Sequence, residues 1–269
     1  MVDTGFQLTL DHLFEPAAHG GKRAGAGRPR GTSRVPHRTR EEFAARYPLH
    51  VTLSCVPGVS LRRWSLMSAI HAAIAGSHTQ DFRMCELNIE SNHMHFIAEA
   101  DGRGALAHGL QRFKRVLAGA LNQSLGRSGA LFVERYHDRV LMSPTVVRNA
   151  VRYVLNNARH HAAEWGQRLD STWFDPYSSA AWFTGWAAPL VAISHQQRAL
   201  LAQPSPMAPP QTWLLRTGWR QLGLIGLDEI PGSRRSLRLL EQREAELAHQ
   251  SRMREIDLEW RYLRGELIR

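Results

Sequence analysis

Residues 82–99 read FRMCELNIESNHMHFIAE, and this stretch decides the fold. Residues 82–89 alternate as a strand, with Cys85, Leu87 and Ile89 expected on one side. Glu90-Ser91-Asn92 has turn composition, and residues 93–99 return as the neighbouring strand. Working outward, residues 50–56 (HVTLSCV) read as another strand, stopped by Pro57-Gly58. Residues 61–76 place apolar side chains at helical spacing and end at a glycine. Residues 104–125 form a long amphipathic pattern, and residues 131–142 are strand-like. Ser143-Pro144 then supplies an N-cap and a proline at the first helical position, opening a helix expected to run to about His160. The order β-α-β-β-α-β plus one helix predicts an α+β, ferredoxin-like split βαβ sandwich. Helices would cover one face of an antiparallel sheet, and the other face would stay open for a ligand.

The 269 residues are 43% apolar, enough for a real core, and no apolar stretch approaches the roughly 20 residues that span a bilayer. The first residues, MVDTGFQLTLDHLFEP, carry acids and no basic leader, which argues against a secretory signal. Cys55 and Cys85 fall in strands and are expected as small reduced core residues. Together these predict a cytoplasmic protein that does not engage a membrane, and the net charge of +10 predicts a polyanionic partner, nucleic acid first, placing it at the nucleoid. The division expected is a basic arm (1–46), a folded domain (47–160), an aromatic-rich extension (161–202), a Pro-rich linker (203–211) and a charged helical region (212–269). Residues 20–40 hold seven basic residues and no acid. Within them Gly27-Arg28-Pro29-Arg30-Gly31 resembles an AT-hook core, so Arg28 and Arg30 can enter a minor groove or serve a generic phosphate-binding tail.

The chemistry sits in two places. His93 and His95 are at i and i+2 of a strand, on one face and about 7 Å apart at Cα. Two imidazoles so placed can grip one divalent ion, although an isolated H-x-H also fits incidental histidines. Tyr153 and Asn157 are at i and i+4 of the last helix and share a face. Two histidines and the Asn157 amide oxygen would complete a three-ligand site with open positions for a phosphate oxygen, next to the Tyr153 phenol. Alone, that pair also fits a core tyrosine and a solvent-facing asparagine.

Three segments, SNHMHFI, ERYHDRVL and YVLNNARHH, in this order on this β/α pattern, resemble the HUH single-tyrosine transposases, and among them the REP-associated tyrosine transposases and their domesticated relatives. The resemblance covers residues 47–160. It implies Mg²⁺ or Mn²⁺ bound by His93, His95 and Asn157, Tyr153 as nucleophile, and a 5′-phosphotyrosine intermediate that leaves a free 3′-OH. It also implies cleavage and rejoining of single-stranded DNA near hairpins without ATP. The extensions at both ends depart from the short insertion-sequence enzymes.

Arg112, Lys114, Arg115, Arg148, Arg152 and Arg159 can line a DNA path or form ordinary solvated faces. Glu134, Tyr136, His137 and Arg139 read as structural first and DNA-contacting second. Residues 165–186 are rich in tryptophan, and packing of the extension is preferred over base stacking. His160 and His161 receive no role, and Glu90 and Glu99 are not placed to help the histidine pair. A homodimer is compatible with the sequence. The rival reading is a catalytically idle hairpin or nucleic-acid-binding protein built on the same fold. A metal-dependent hydrolase and an architectural protein acting through the basic arm rank behind it.

Overall fold

The computed structural model describes residues 40–133, 135–232 and eight positions between 242 and 254. Arg28, Arg30 and Glu134 lie outside the described residues, as does most of the charged segment 233–269. The described residues from Glu41 onward belong to one compact unit.

Four strands make one antiparallel sheet in the order β2-β3-β1-β4: β1 (Leu49–Ser54), β2 (Phe82–Ile89), β3 (His93–Ala100) and β4 (His137–Val140). Between and after them run α1 (Met67–Ala75), α2 (Arg103–Ser124), α3 (Pro144–Leu155) and α4 (Asn157–Glu164), then the short helices α5 (His195–Leu201) and α6 (Trp213–Arg216). The split βαβ order expected from the pattern is present. The predicted strand 131–142 shrinks to β4, preceded by a single bridge between Cys55 and Phe132.

Strand alternation sorts the residues onto two faces. Leu49, Val51 and Leu53 of β1 and Met94, Phe96 and Ala98 of β3 join Ile70 and Ile74 of α1 and Phe113 and Leu117 of α2 in one buried cluster. The opposite face carries His50 and Thr52 of β1, paired with Ile97 and His95 of β3, and Asn88 of β2, also paired with His95. One expectation fails on β2. The register shifts between Met84 and Glu86, and the extra residue puts Cys85 in the second cluster while Leu87 and Ile89 stay in the first. Cys55 and Cys85 are free and buried, as expected.

The second face is not open. Val147, Val151, Val154 and Leu155 of α3 cover it together with Phe174, Trp186, Leu215, Trp219 and Ile225 from the later chain. A sheet buried on both faces leaves no exposed residue on β2. The reason is compositional: α3 presents an apolar stripe, and the aromatics after residue 165 supply the large area needed to bury it. Trp186 and Phe174 are buried whereas Trp165 is 80% exposed, so packing accounts for part of the tryptophan-rich stretch only. Glu99, fully buried, holds the Pro-rich segment against the sheet by accepting hydrogen bonds from Gln211 N, Thr212 N, Thr212 Oγ1 and Arg83 Nε.

Candidate active site

α3 starts as its sequence dictates. Ser143 Oγ accepts from Val146 N, and Pro144 occupies the first turn, where its missing N–H costs nothing. The helix does not run unbroken to His160. It stops at Leu155, and Asn156 takes φ −107° and ψ 22° before α4 begins at Asn157. The side chain of Asn156 is the cause: its Nδ2 donates to the carbonyls of Gly226 and Glu229 at 3.1 and 2.9 Å. The nucleophile candidate and the third ligand candidate therefore stand on two helices that meet at a clamp.

His93 and His95 project from β3 on the α3 side, with their Nε2 atoms 3.0 Å apart. The far nitrogen of each ring is occupied. His93 Nδ1 meets Asn92 Oδ1 at 2.8 Å, and an amide oxygen only accepts, so the proton of neutral His93 is on Nδ1. His95 Nδ1 meets Thr52 Oγ1 and His50 Nε2, each at 3.2 Å. His93 Nε2 therefore accepts from His95 Nε2–H or, when the His95 proton is on Nδ1, both Nε2 lone pairs are left to a cation. Burial and the neighbouring imidazoles hold His95 neutral down to about pH 3. Burial, with Arg139 adding to it, brings His50 to about 4, and burial also lowers His93.

Asn157 is fully buried. Its Nδ2 donates to Glu90 Oε1 at 2.9 Å, and since a carboxylate only accepts, this contact fixes which way the amide points. Its Oδ1 has no hydrogen-bond partner among the described residues. An orphaned buried acceptor costs on the order of 1–3 kcal/mol unless a ligand satisfies it. Two ligands of one cation at about 2.1 Å, set at a right angle, lie about 3.0 Å apart. The separation of the two Nε2 atoms and the bare Oδ1 therefore fit a divalent cation.

Tyr153, half-buried, packs its ring 5.4 Å from His95, 5.9 Å from His50 and 5.8 Å from His160, centroid to centroid. Burial raises its pKa, and the carboxylates of Glu90 and Glu164 raise it further. A cavity of about 290 Å³ opens beside it, lined by His50, Arg139, Val146, Asn149 and Tyr153 among others. Arg139, read from sequence as structural, thus brings a guanidinium to the wall of the space next to the phenol.

The remaining basic residues scatter. Arg148 donates to Glu229, Gly223 O and Leu224 O, and Arg152 reaches Glu229 at 3.5 Å. Arg159 is buried against the carbonyls of Leu169, Asp170 and Trp173. Arg112, Lys114 and Arg115 sit on α2, which covers the opposite face of the sheet from His93, His95 and α3. Lys114 donates to Val133 O.

Sequence reading missed three groups of contacts, centred on Glu90, Asp175 and Glu164. Glu90, set aside, locks Asn157. Asp175, fully buried, grips Arg62 through two bonds of 3.0 Å, while Arg62 also donates to Ile89 O and lies 3.9 Å from Glu90. His160 and His161 both approach Glu164, at 3.4 and 3.1 Å, and His160 Nδ1 meets Pro231 O. The contacts of Glu90 with Asn157, Asp175 with Arg62 and His160 with Pro231 join residues far apart in sequence. Only the H-x-x-x-E and H-x-x-E spacings on α4 were visible beforehand.

No helix among the described residues is long and apolar enough to cross a membrane. No family model matches the chain, and no curated protein does. Among solved structures, the chain is similar to a REP-associated tyrosine transposase bound to a REP hairpin, at 16% identity over 54% of this chain and 82% of that one, with a TM-score of 0.43.

Proposed function

We propose that this chain is a transposase-like enzyme that cleaves and rejoins single-stranded DNA near hairpins, with Tyr153 as nucleophile. His93, His95 and Asn157 would hold Mg²⁺ or Mn²⁺. The observation that carries the reading is the pair of facing imidazole nitrogens, 3.0 Å apart, with an unpartnered buried amide oxygen and a tyrosine ring packed against the same histidine. Bound there, the cation supplies Lewis-acid polarisation of the scissile phosphate.

The protein's own groups do the rest. Tyr153 Oη attacks phosphorus, the bond from phosphorus to the 3′ oxygen breaks, and that oxygen leaves as a 3′-OH after taking up a proton. The DNA stays attached through its 5′ phosphate. Joining reverses the steps: a 3′-OH attacks, the tyrosyl–phosphorus bond breaks, and the phenol regains its proton. Arg139, on the wall of the adjoining cavity, is suited to balancing phosphate charge. Glu90 holds the Asn157 amide nitrogen, which leaves its oxygen free for a ligand.

The test uses labelled hairpin-bearing single-stranded DNA and Mn²⁺, scoring a protein–DNA adduct that survives SDS. Tyr153→Phe should abolish the adduct and leave DNA binding intact. Wild-type protein that forms none across varied hairpins and metals gives way to a second reading, an idle nucleic-acid-binding protein. One observation favours that rival: the two carboxylates near Tyr153 oppose its ionisation.

A further inference from the structure

A second cavity, of about 280 Å³, lies between β2 and the later chain. Trp182, Phe183 and Trp219 contribute its aromatic lining, with the Phe183 and Trp219 rings stacked 5.7 Å apart at 22°. Arg220 lines it too, its guanidinium held by Thr184 and by the carbonyl of Arg216. The polar element is Glu86, a buried carboxyl in an otherwise largely apolar setting. Ser179 Oγ accepts from Leu87 N at 2.9 Å and donates to Glu86 Oε2 at 2.6 Å. The Ser179 hydroxyl is the hydrogen-bond partner of the Glu86 carboxyl, and it meets Oε2.

We propose that this cavity binds one unpaired nucleobase of the DNA strand held at the Tyr153 site. The inference rests on the DNA-processing reading above. Aromatic walls suit the π-face of a base, and one convergent polar group suits its hydrogen-bonding edge. The volume is at the small end for ligand sites, which fits a single planar ring system. Glu90 directly follows β2, four residues and about 13 Å of extended chain from Glu86, so the strand that lines the cavity leads to the Asn157 side of the candidate site.

The polar edge also sets how a base would pair. Burial pushes the Glu86 carboxyl up to about 8, against the opposing pull of Ser179 and of Arg220, the cation facing it. Its neighbour Cys85 stays a thiol. Where Ser179 donates to Oε2, the carboxyl proton is left to Oε1. A donor beside an acceptor then complements the N1 and amino edge of adenine, or the N3 and amino edge of cytosine. Guanine, with O6 beside N1–H, and thymine, with O4 beside N3–H, offer the same two-point pairing when the base is turned over, so the carboxyl recognises a base edge without choosing among the four.

Nucleosides test this without any cleavage chemistry. Each of the four 2′-deoxynucleosides should quench tryptophan fluorescence, and 2′-deoxyribose, which lacks the base, should not. Glu86→Leu should remove the quenching. Glu86→Gln, whose amide offers the same donor beside an acceptor, should retain it, and Tyr153→Phe should leave it unchanged. In hairpin DNA with a single-stranded flank, an abasic site at one flank position should weaken binding about tenfold, and Glu86→Leu should erase that positional effect while still forming the adduct. Quenching by 2′-deoxyribose equal to that by the nucleosides, no quenching by any nucleoside, or unaltered quenching in Glu86→Leu overturns the proposal. Quenching without an adduct sinks the nicking reading and leaves the pocket standing.

Discussion

At the scale of single residues, the candidate site turns on which atom of each side chain is left bare. Asn92 and Thr52 occupy the outer nitrogens of His93 and His95, and Glu90 occupies the Asn157 amide nitrogen. Residues behind metal ligands that fix their orientation are worth on the order of 10–100-fold in metal affinity. Glu90→Ala should therefore weaken Mn²⁺ binding by about that factor in a calorimetric titration, with the fold preserved by circular dichroism. Undiminished affinity would show that Asn157 needs no lock. The paired histidines were legible in sequence because a strand's period of two is rigid. Glu90 was not, because its contact with Asn157 spans 67 residues and depends on where α4 docks.

Among the elements, helix and strand positions followed from pattern, but their interruptions did not. The break at Asn156 comes from carbonyls of residues 226 and 229, which no local rule anticipates. The bulge at Cys85 likewise leaves the alternating pattern of 82–89 looking regular. A closer constraint links α2 to β2. Gly109 is buried in α2, and a Cβ there would lie 2.2 Å from the Phe82 ring, itself fully buried. The missing side chain is what lets helix and sheet approach. Gly109→Ala would gain helix propensity of about 1 kcal/mol but must displace an aromatic ring in a close-packed core. Overpacking of this kind costs about 1–3 kcal/mol, so the net effect should be destabilising. A lowered thermal midpoint checks it, and an unchanged or raised one would mean Phe82 has room to turn.

For the whole molecule, two apolar clusters sandwich one sheet, and the second is completed by chain that the sequence pattern assigned to an extension. Its aromatics come without helical or strand period, so composition announced burial but not the partner surface. That placement buries Glu86, whose ordinary pKa of 4.5 rises to about 8. Between those values the unfolded chain has released the proton and the folded chain retains it. The folded state binds more protons, so this residue's contribution to stability falls as pH rises from about 4.5 to 8, by at most about 1.4 kcal/mol per pH unit. The buried neutral histidines, with pKa values lowered, act in the opposite direction as pH climbs toward 6.5, so the wild-type curve alone mixes the two. Glu86→Gln separates them, since an amide keeps the Ser179 hydrogen bond and cannot ionise. Urea unfolding at pH 5, 6, 7 and 8 should show the variant's stability rising relative to wild type across the series. A constant difference would mean Glu86 is ionised in the folded protein at neutral pH, with Arg220 and Ser179 outweighing its burial.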